Sequence, residues 1–191
     1  MNPFARRGDP HLLAVSMTGV KMGDRVAFIG CADGGRLAAV AAKVGLSGRA
    51  AAILPDDRAA GLARKSAEQA GVLVETDVAS PAKLPLEAGA FDLAIVDDTA
   101  SLFGTMTAEV RSEAVRELAR VLRPGGRVVL IGAAASAGLS GLVKRTPSSP
   151  PFASSGEANA ALSSNGFGIV RTLAEREGLV FVEGIKPRAK G

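Results

Sequence analysis

The chain has 191 residues, the size of one domain, and 47% of them are hydrophobic against 22% charged, which excludes a disordered chain and allows a sizeable core. Trp and Tyr are absent and aromatic residues reach only 4%, so the core must be aliphatic and stacking platforms for single-stranded nucleic acid are scarce. A net charge of +4, one cysteine and one histidine leave no intrachain disulfide, no cysteine-cluster metal site and no histidine pair.

In chain order, the opening MNPFARRGDPHLL has no long apolar centre and reads as no signal peptide. Its Arg6-Arg7 pair, like Lys186, Arg188 and Lys190 at the other end, reads as solvated charge rather than a nucleic-acid surface. Asp9-Pro10 suits a helix start, and a short helix is expected within residues 9–22. Arg25 to Gly30 reads as the first strand, Gly34 to Val44 as a helix ended by Gly45, and GRAAAILP as the second strand. DDRAAGLARKSAEQAG is a helix with acids at its positive end. VLVETD and FDLAIVDD are strands 3 and 4 around a loop, ASPAKLPLEAGA. Thr107 to Leu122 is an amphipathic helix with Val110, Ala114, Leu118, Val121 and Leu122 near one face. RPGG reads as a sharp turn and RVVLIGA as strand 5.

After Ala133 the texture changes to Ser, Gly and Pro. Residues 134–155 read as a variable loop, a lid or a disordered stretch, with a short helix near Leu139 to Lys144. A helix near Gly156 to Asn165 follows. FGIVRTLAEREGLVFVEGIK then reads as two strands joined at Glu-Arg-Glu-Gly, an antiparallel hairpin. Alternating strands and helices with near-continuous apolar strands predict an α/β three-layer sandwich, a mostly parallel sheet covered on both faces, in a single domain spanning 1–191. No stretch reaches the roughly 20 apolar residues of a membrane span, so a soluble, cytoplasmic protein is expected.

Three stretches, KMGDRVAFIGCADGG, LPLEAGAFDLAIVDD and ELARVLRPGGRVVLIG, together with the closing hairpin, carry a resemblance. Over roughly residues 9–186 the chain resembles the class I S-adenosylmethionine-dependent methyltransferases, of the type grouped with ubiquinone and menaquinone biosynthesis. The resemblance implies a Rossmann-like, seven-stranded sheet in the order 3-2-1-4-5-7-6 with strand 7 antiparallel, and S-adenosylmethionine as cofactor. It implies that Gly30, Cys31, Ala32, Asp33 and Gly34 approach the cofactor's amino-acid end. Leu54, Pro55 and Asp56 stand at the end of strand 2, where the family carries an acid for the ribose hydroxyls, and Asp56 or Asp57 is the substitute acceptor one turn later. Asp77, with Val78 beside it, matches the acid that meets the adenine amino group. Asp97 and Asp98 are implied to face the crevice between cofactor and acceptor. Three positions depart from the pattern: Phe28 stands for an acid, Ala32 for a glycine and Leu54 for the ribose acceptor. Each unpaired hydroxyl costs about 1–3 kcal/mol, while none of these changes disturbs a buried strand.

Bottom-up, several residues keep two readings. Asp33 points at a ligand or caps the helix opening at Gly34. Cys31 is a thiol activated at a helix N-terminus or a small buried filler. His11 helps cover the cofactor or simply packs. Asp97 or Asp98 serves as a base or orients an acceptor, or one caps the following turn while the other is solvated. Strand 5 is followed by GAAASAG, which offers no metal ligand. Neither G-x-x-x-x-G-K-S/T nor G-x-G-x-x-G occurs at the first turn, against a phosphate-binding loop or a nicotinamide dehydrogenase. Two functions stay open: methyl transfer to a small, apolar molecule held under the 134–155 loop, or a methyltransferase-fold protein without catalysis, a binding or regulatory module. A homodimer is compatible with either.

Overall fold

The computed structural model describes residues 11–134, 152–154 and 156–188. Along the chain the elements are α1 (Leu12–Thr18), β1 (Arg25–Ile29), α2 (Gly34–Val44), β2 (Arg49–Leu54), α3 (Asp57–Ala70), β3 (Glu75–Val78), β4 (Phe91–Asp98), α4 (Ala108–Val121), β5 (Leu122–Ala133), α5 (Glu157–Ser164), β6 (Ile169–Arg176) and β7 (Leu179–Ile185). Among the described residues the strands form one seven-stranded sheet, ordered β3-β2-β1-β4-β5-β7-β6. Strands β1 to β5 run parallel, and β7 runs antiparallel to both β5 and β6. This is the order and the hand of pairing that the resemblance implied.

The continuous apolar strands exist because helices cover both faces. Val26, Phe28, Leu54, Leu93 and Ile95 pack against Leu37, Val40 and Val44 of α2 and Ala60 and Ala63 of α3. Their alternate neighbours Ala27, Ile29, Ala94, Val96 and Leu130 pack against Ala114, Val115, Leu118 and Leu162 of α4 and α5. Phe28 and Leu54 are 2% and 0% exposed. Burying such a side chain stabilises the fold by about 1.5–3 kcal/mol, which is what these positions contribute in place of polar chemistry.

Several boundaries differ from the sequence reading. Helix α1 is shorter than 9–22: His11 precedes it and Gly19, left-handed, ends it. The Asp9-Pro10 cap and the helix near 139–144 lie outside the described residues. Strand β3 starts at Glu75 rather than Val72, because the Val72 amide donates to the Ala67 carbonyl and closes α3. RPGG is part of β5 instead of a separate turn. Gly125 donates to Lys186 and Lys186 to Gly126, so the chain after β7 keeps pairing there, and the β4–β5 register shifts between Phe91 and Leu93. On α4, Val110 is exposed and Val115 takes its place in the core. The hairpin turns at Glu177 and Gly178, between β6 and β7.

One ionic cluster, centred on the buried Glu183, fixes α1 to the sheet. Arg127 of β5 donates to the Thr18 carbonyl at 2.8 Å and the Gly19 carbonyl at 3.2 Å, at the negative end of α1. Glu183 of β7, 2% exposed, pairs with Arg127 at 2.9 Å and with Arg171 of β6 at 2.8 Å. The buried Glu183 charge thus has two partners, the half-buried Arg127 and the exposed Arg171, and α1 is held beside α2.

Candidate functional site

The first turn is built from the end of β1. Gly30 has φ of 80°, a left-handed conformation that favours glycine. A Cβ there would meet Leu102 Cδ2 at 2.8 Å and the Asp97 carbonyl oxygen at 3.0 Å. Asp33 caps α2: its Oδ1 accepts from the Gly35 amide at 2.9 Å and the Arg36 amide at 3.3 Å. Of its two readings, the cap is what the geometry realises. Gly34 serves packing, since a side chain at that position would run into Ser66 of α3. His11 Nδ1 lies 3.7 Å from Asp33 Oδ2, and its ring lies over Gly35.

The two acids ending β4 point to opposite faces, as neighbours in a strand must. Asp97 turns toward α2. Its Oδ2 accepts from the amides of Ala32 at 3.1 Å and Asp33 at 3.3 Å. Its Oδ1 accepts from the Thr99 amide at 3.2 Å and hydroxyl at 2.6 Å, and from Arg36 Nη1 at 2.9 Å. Arg36 also stands 3.6 Å from Asp33. The Asp97 and Arg36 side chains are 6% and 11% exposed. Both carboxylate oxygens of Asp97 are thus engaged by the protein's own donors, and they tie the first turn, α2 and the Thr99 turn together.

Asp98 turns to the α4–α5 layer and lies outside the crevice, contrary to the expectation that it faces cofactor and acceptor. Its Oδ1 accepts from the Phe103 amide at 2.6 Å. Its Oδ2 is buried without a hydrogen-bond partner. Burial pushes its pKa up to about 6, while the Phe103 and Gly104 amides and the nearby Arg111 pull the other way. Arg111 steadies the same turn by donating to the Phe103 carbonyl at 3.1 Å and the Met106 carbonyl at 3.0 Å. Neither acid is solvated, so the pairing of one cap with one solvated acid does not describe them.

Above this frame lies a crevice of about 550 Å³. Gly30, Cys31 and Ala32 form one wall, Pro55, Asp56, Arg58, Ala59 and Leu62 a second, and Asp97, Ala100, Ser101, Leu102 and Thr105 a third. Of the residues expected at a site, the crevice therefore gathers Gly30, Cys31, Ala32, Pro55, Asp56 and Asp97. Leu54 is in the core beneath it. Asp77 and Val78 are exposed on the edge strand β3 and do not line it; Asp77 Oδ1 accepts from the Val78 amide instead. Asp56, which lines the crevice, caps α3 through Oδ1, 2.8 Å from the Ala59 amide. Burial first, then the charges of Asp97 and Asp33, push the Cys31 thiol up to about 12. That is the inert filler of its two readings, not the activated thiol.

Sequence reasoning missed Arg36, Arg58 and Leu102. Arg36 left a signal, because a cation in the first turn of a helix opposes the macrodipole and needs acids close by. A second groove, of about 560 Å³, lies at the opposite end of the sheet, where Ala41, Leu46, Gly48, Val72, Leu73 and Val74 line it. Its charged members Arg49 and Glu75 pair with each other at 2.6 Å. Among the described residues no group of three or more His, Cys, Asp or Glu is placed to hold a metal ion, and no helix is long and apolar enough to cross a membrane.

Compared with known proteins, residues 28–130 match a family model described as a methyltransferase domain. A search of curated proteins finds no match. Solved structures share the fold at low identity. A SAM dependent methyltransferase from Aquifex aeolicus is 20% identical over 93% of this chain and 89% of its own, with a TM-score of 0.72. The cyclase SpnF is 18% identical over 94% of this chain and 80% of its own, with a TM-score of 0.71. A SAM-dependent methyltransferase from Methanosarcina mazei is 21% identical over 88% of this chain and 94% of its own, with a TM-score of 0.62.

Proposed function

The chain belongs to the methyltransferase domain family, and on that premise we propose that it transfers a methyl group from S-adenosylmethionine to a small, apolar molecule. The observation that carries this reading is the crevice at the carboxyl ends of β1, β2 and β4. Strand order reverses between β1 and β4, and open α/β sheets bind ligands at such a switch point. A volume of about 550 Å³ is that of a small-ligand pocket.

The donor set fits the nucleoside part of the cofactor. Asp56 offers a carboxylate oxygen for ribose hydroxyls one turn beyond Leu54, which offers none. Pro55, Ala59, Leu62 and Leu102 supply apolar surface for a base. When bound, the cofactor contributes a methyl group on a sulfonium, and the protein's task is alignment. The 30–32 turn forms the first wall of that alignment. Asp97 holds the turn in place through the Ala32 and Asp33 amides. Asp98 and Arg111 hold the 99–106 turn that closes the third wall.

Calorimetry with S-adenosylmethionine, followed by methyl-labelled donor against a panel of small alcohols, amines and thiols, tests the reading. Micromolar binding and label transfer support it; no heat at millimolar ligand contradicts it. A second reading, a binding or regulatory module without catalysis, is favoured by the fully engaged Asp97 and by Asp98, buried on the α4–α5 side, which leave no carboxylate at the carboxyl end of β4 free to move a proton. Binding without transfer to any acceptor would select it. The shared fold of a cyclase is a reminder that chemistry resides in the site and not in the fold.

A further inference from the structure

We infer that the crevice recognises the nucleoside end of its ligand and that, among the described residues, it gives no seat to an amino-acid carboxylate, so that its ligand class is the 5′-substituted nucleoside with or without an amino-acid tail. This rests on reading the crevice as a nucleoside site. A helix N-terminus binds anions through amides that lack partners. At α2 those amides are already taken by the protein's own carboxylates. Ala32 and Asp33 donate to Asp97, and Gly35 and Arg36 donate to Asp33. Gly34, between them, is buried.

The guanidinium that could pair with a ligand carboxylate is spent in the same way. Arg36 is held by Asp97 at 2.9 Å and Asp33 at 3.6 Å, and its side chain is 11% exposed. Two carboxylates, Asp97 and Asp33, thus surround the one guanidinium, and the His11 ring stands on the far carboxylate oxygen of Asp33. Leu102 covers Gly30, within 2.8 Å of where a Cβ would stand, and closes off the bare backbone that a tail would follow. Among the lining residues Arg58 is the cation that faces the crevice without such an engagement, and it is exposed on the α3 wall beside Asp56. An exposed ion pair changes affinity by no more than about fivefold.

The test is calorimetry on the full chain with S-adenosylhomocysteine, 5′-methylthioadenosine, adenosine and free homocysteine. The three nucleosides are expected to bind within about fivefold of one another, and homocysteine not at all. S-adenosylhomocysteine binding more than about thirtyfold tighter than 5′-methylthioadenosine would overturn the inference while leaving the crevice a nucleoside site. Homocysteine binding alone would overturn it too. No heat with any nucleoside at millimolar concentration would remove the reading of the crevice itself. The double variant Asp97→Ala with Arg36→Met frees the Ala32 and Asp33 amides without stranding a charge. It is expected to shift preference toward S-adenosylhomocysteine by about tenfold or more. An unshifted preference in the folded variant refutes the role given to Asp97; if the variant does not fold, the wild-type series decides.

Discussion

Asp98→Asn isolates a carboxylate whose charged form the fold disfavours. Burial, with the Asp97 charge adding to it, raises the Asp98 pKa from an ordinary 3.8 to about 6, against the opposing Phe103 and Gly104 amides and Arg111. Its Oδ2 is buried without a hydrogen-bond partner. The native state therefore holds a proton that the unfolded chain has already released between about pH 4 and pH 6. Stability falls as pH rises through that window and stays lower above it. A shift of about two units corresponds to about 3 kcal/mol. Asn cannot ionise, and whatever its unpaired amide costs is the same at every pH. The difference in unfolding free energy, wild type minus variant, should thus fall by about 2–3 kcal/mol from pH 4 to pH 7. Urea titrations of both proteins at six pH values measure it. A difference that stays flat to within about 0.5 kcal/mol, the limit of such extrapolations, would refute the reasoning and mean that the charge is compensated.

Other outcomes follow from the same geometry. Asp97→Ala leaves Arg36 buried without its nearer partner and should cost about 3–5 kcal/mol in urea unfolding, and adding Arg36→Met should restore much of it. Leu54→Glu places a carboxylate in the core rather than at a ribose, so a fall in melting temperature with no gain in nucleoside affinity is expected. Cys31, with its thiol pushed up to about 12, should react with iodoacetamide at pH 8 about a thousandfold more slowly in the folded protein than in urea; equal rates would place the thiol in solvent.

Much of the fold was legible because β1, β2 and β4 are buried on both faces and so read as unbroken apolar runs, and because the β6–β7 hairpin carries its own turn. Strand order came through the resemblance and not from periodicity. Within the site, the Gly30 turn and Asp56 were legible from their place between a strand and a helix. The opposite orientations of Asp97 and Asp98 were legible too, from strand alternation, but identical neighbours invited a shared role. Phe28 and Leu54 depart from the family pattern for a reason that register makes plain: both lie on the face packed by α2 and α3, where an apolar side chain joins the core. Asp77 and Val78 could not be placed from sequence, because β3 is a four-residue edge strand whose exposure depends on what neighbours it. Arg36 and Leu102 act through contacts more than 60 residues apart in the chain, which local pattern does not reveal.

In the proposed function the ligand lies between the first turn and the start of α3. Amide chemical shifts of the isotope-labelled full chain, titrated with S-adenosylhomocysteine, test it most directly. Saturable shifts are expected at Gly30 to Ala32, Asp56 to Ala59 and Ala100 to Thr105. Shifts confined to Leu46 and Val72 to Glu75, at the opposite groove, or no shifts at millimolar ligand, would contradict it.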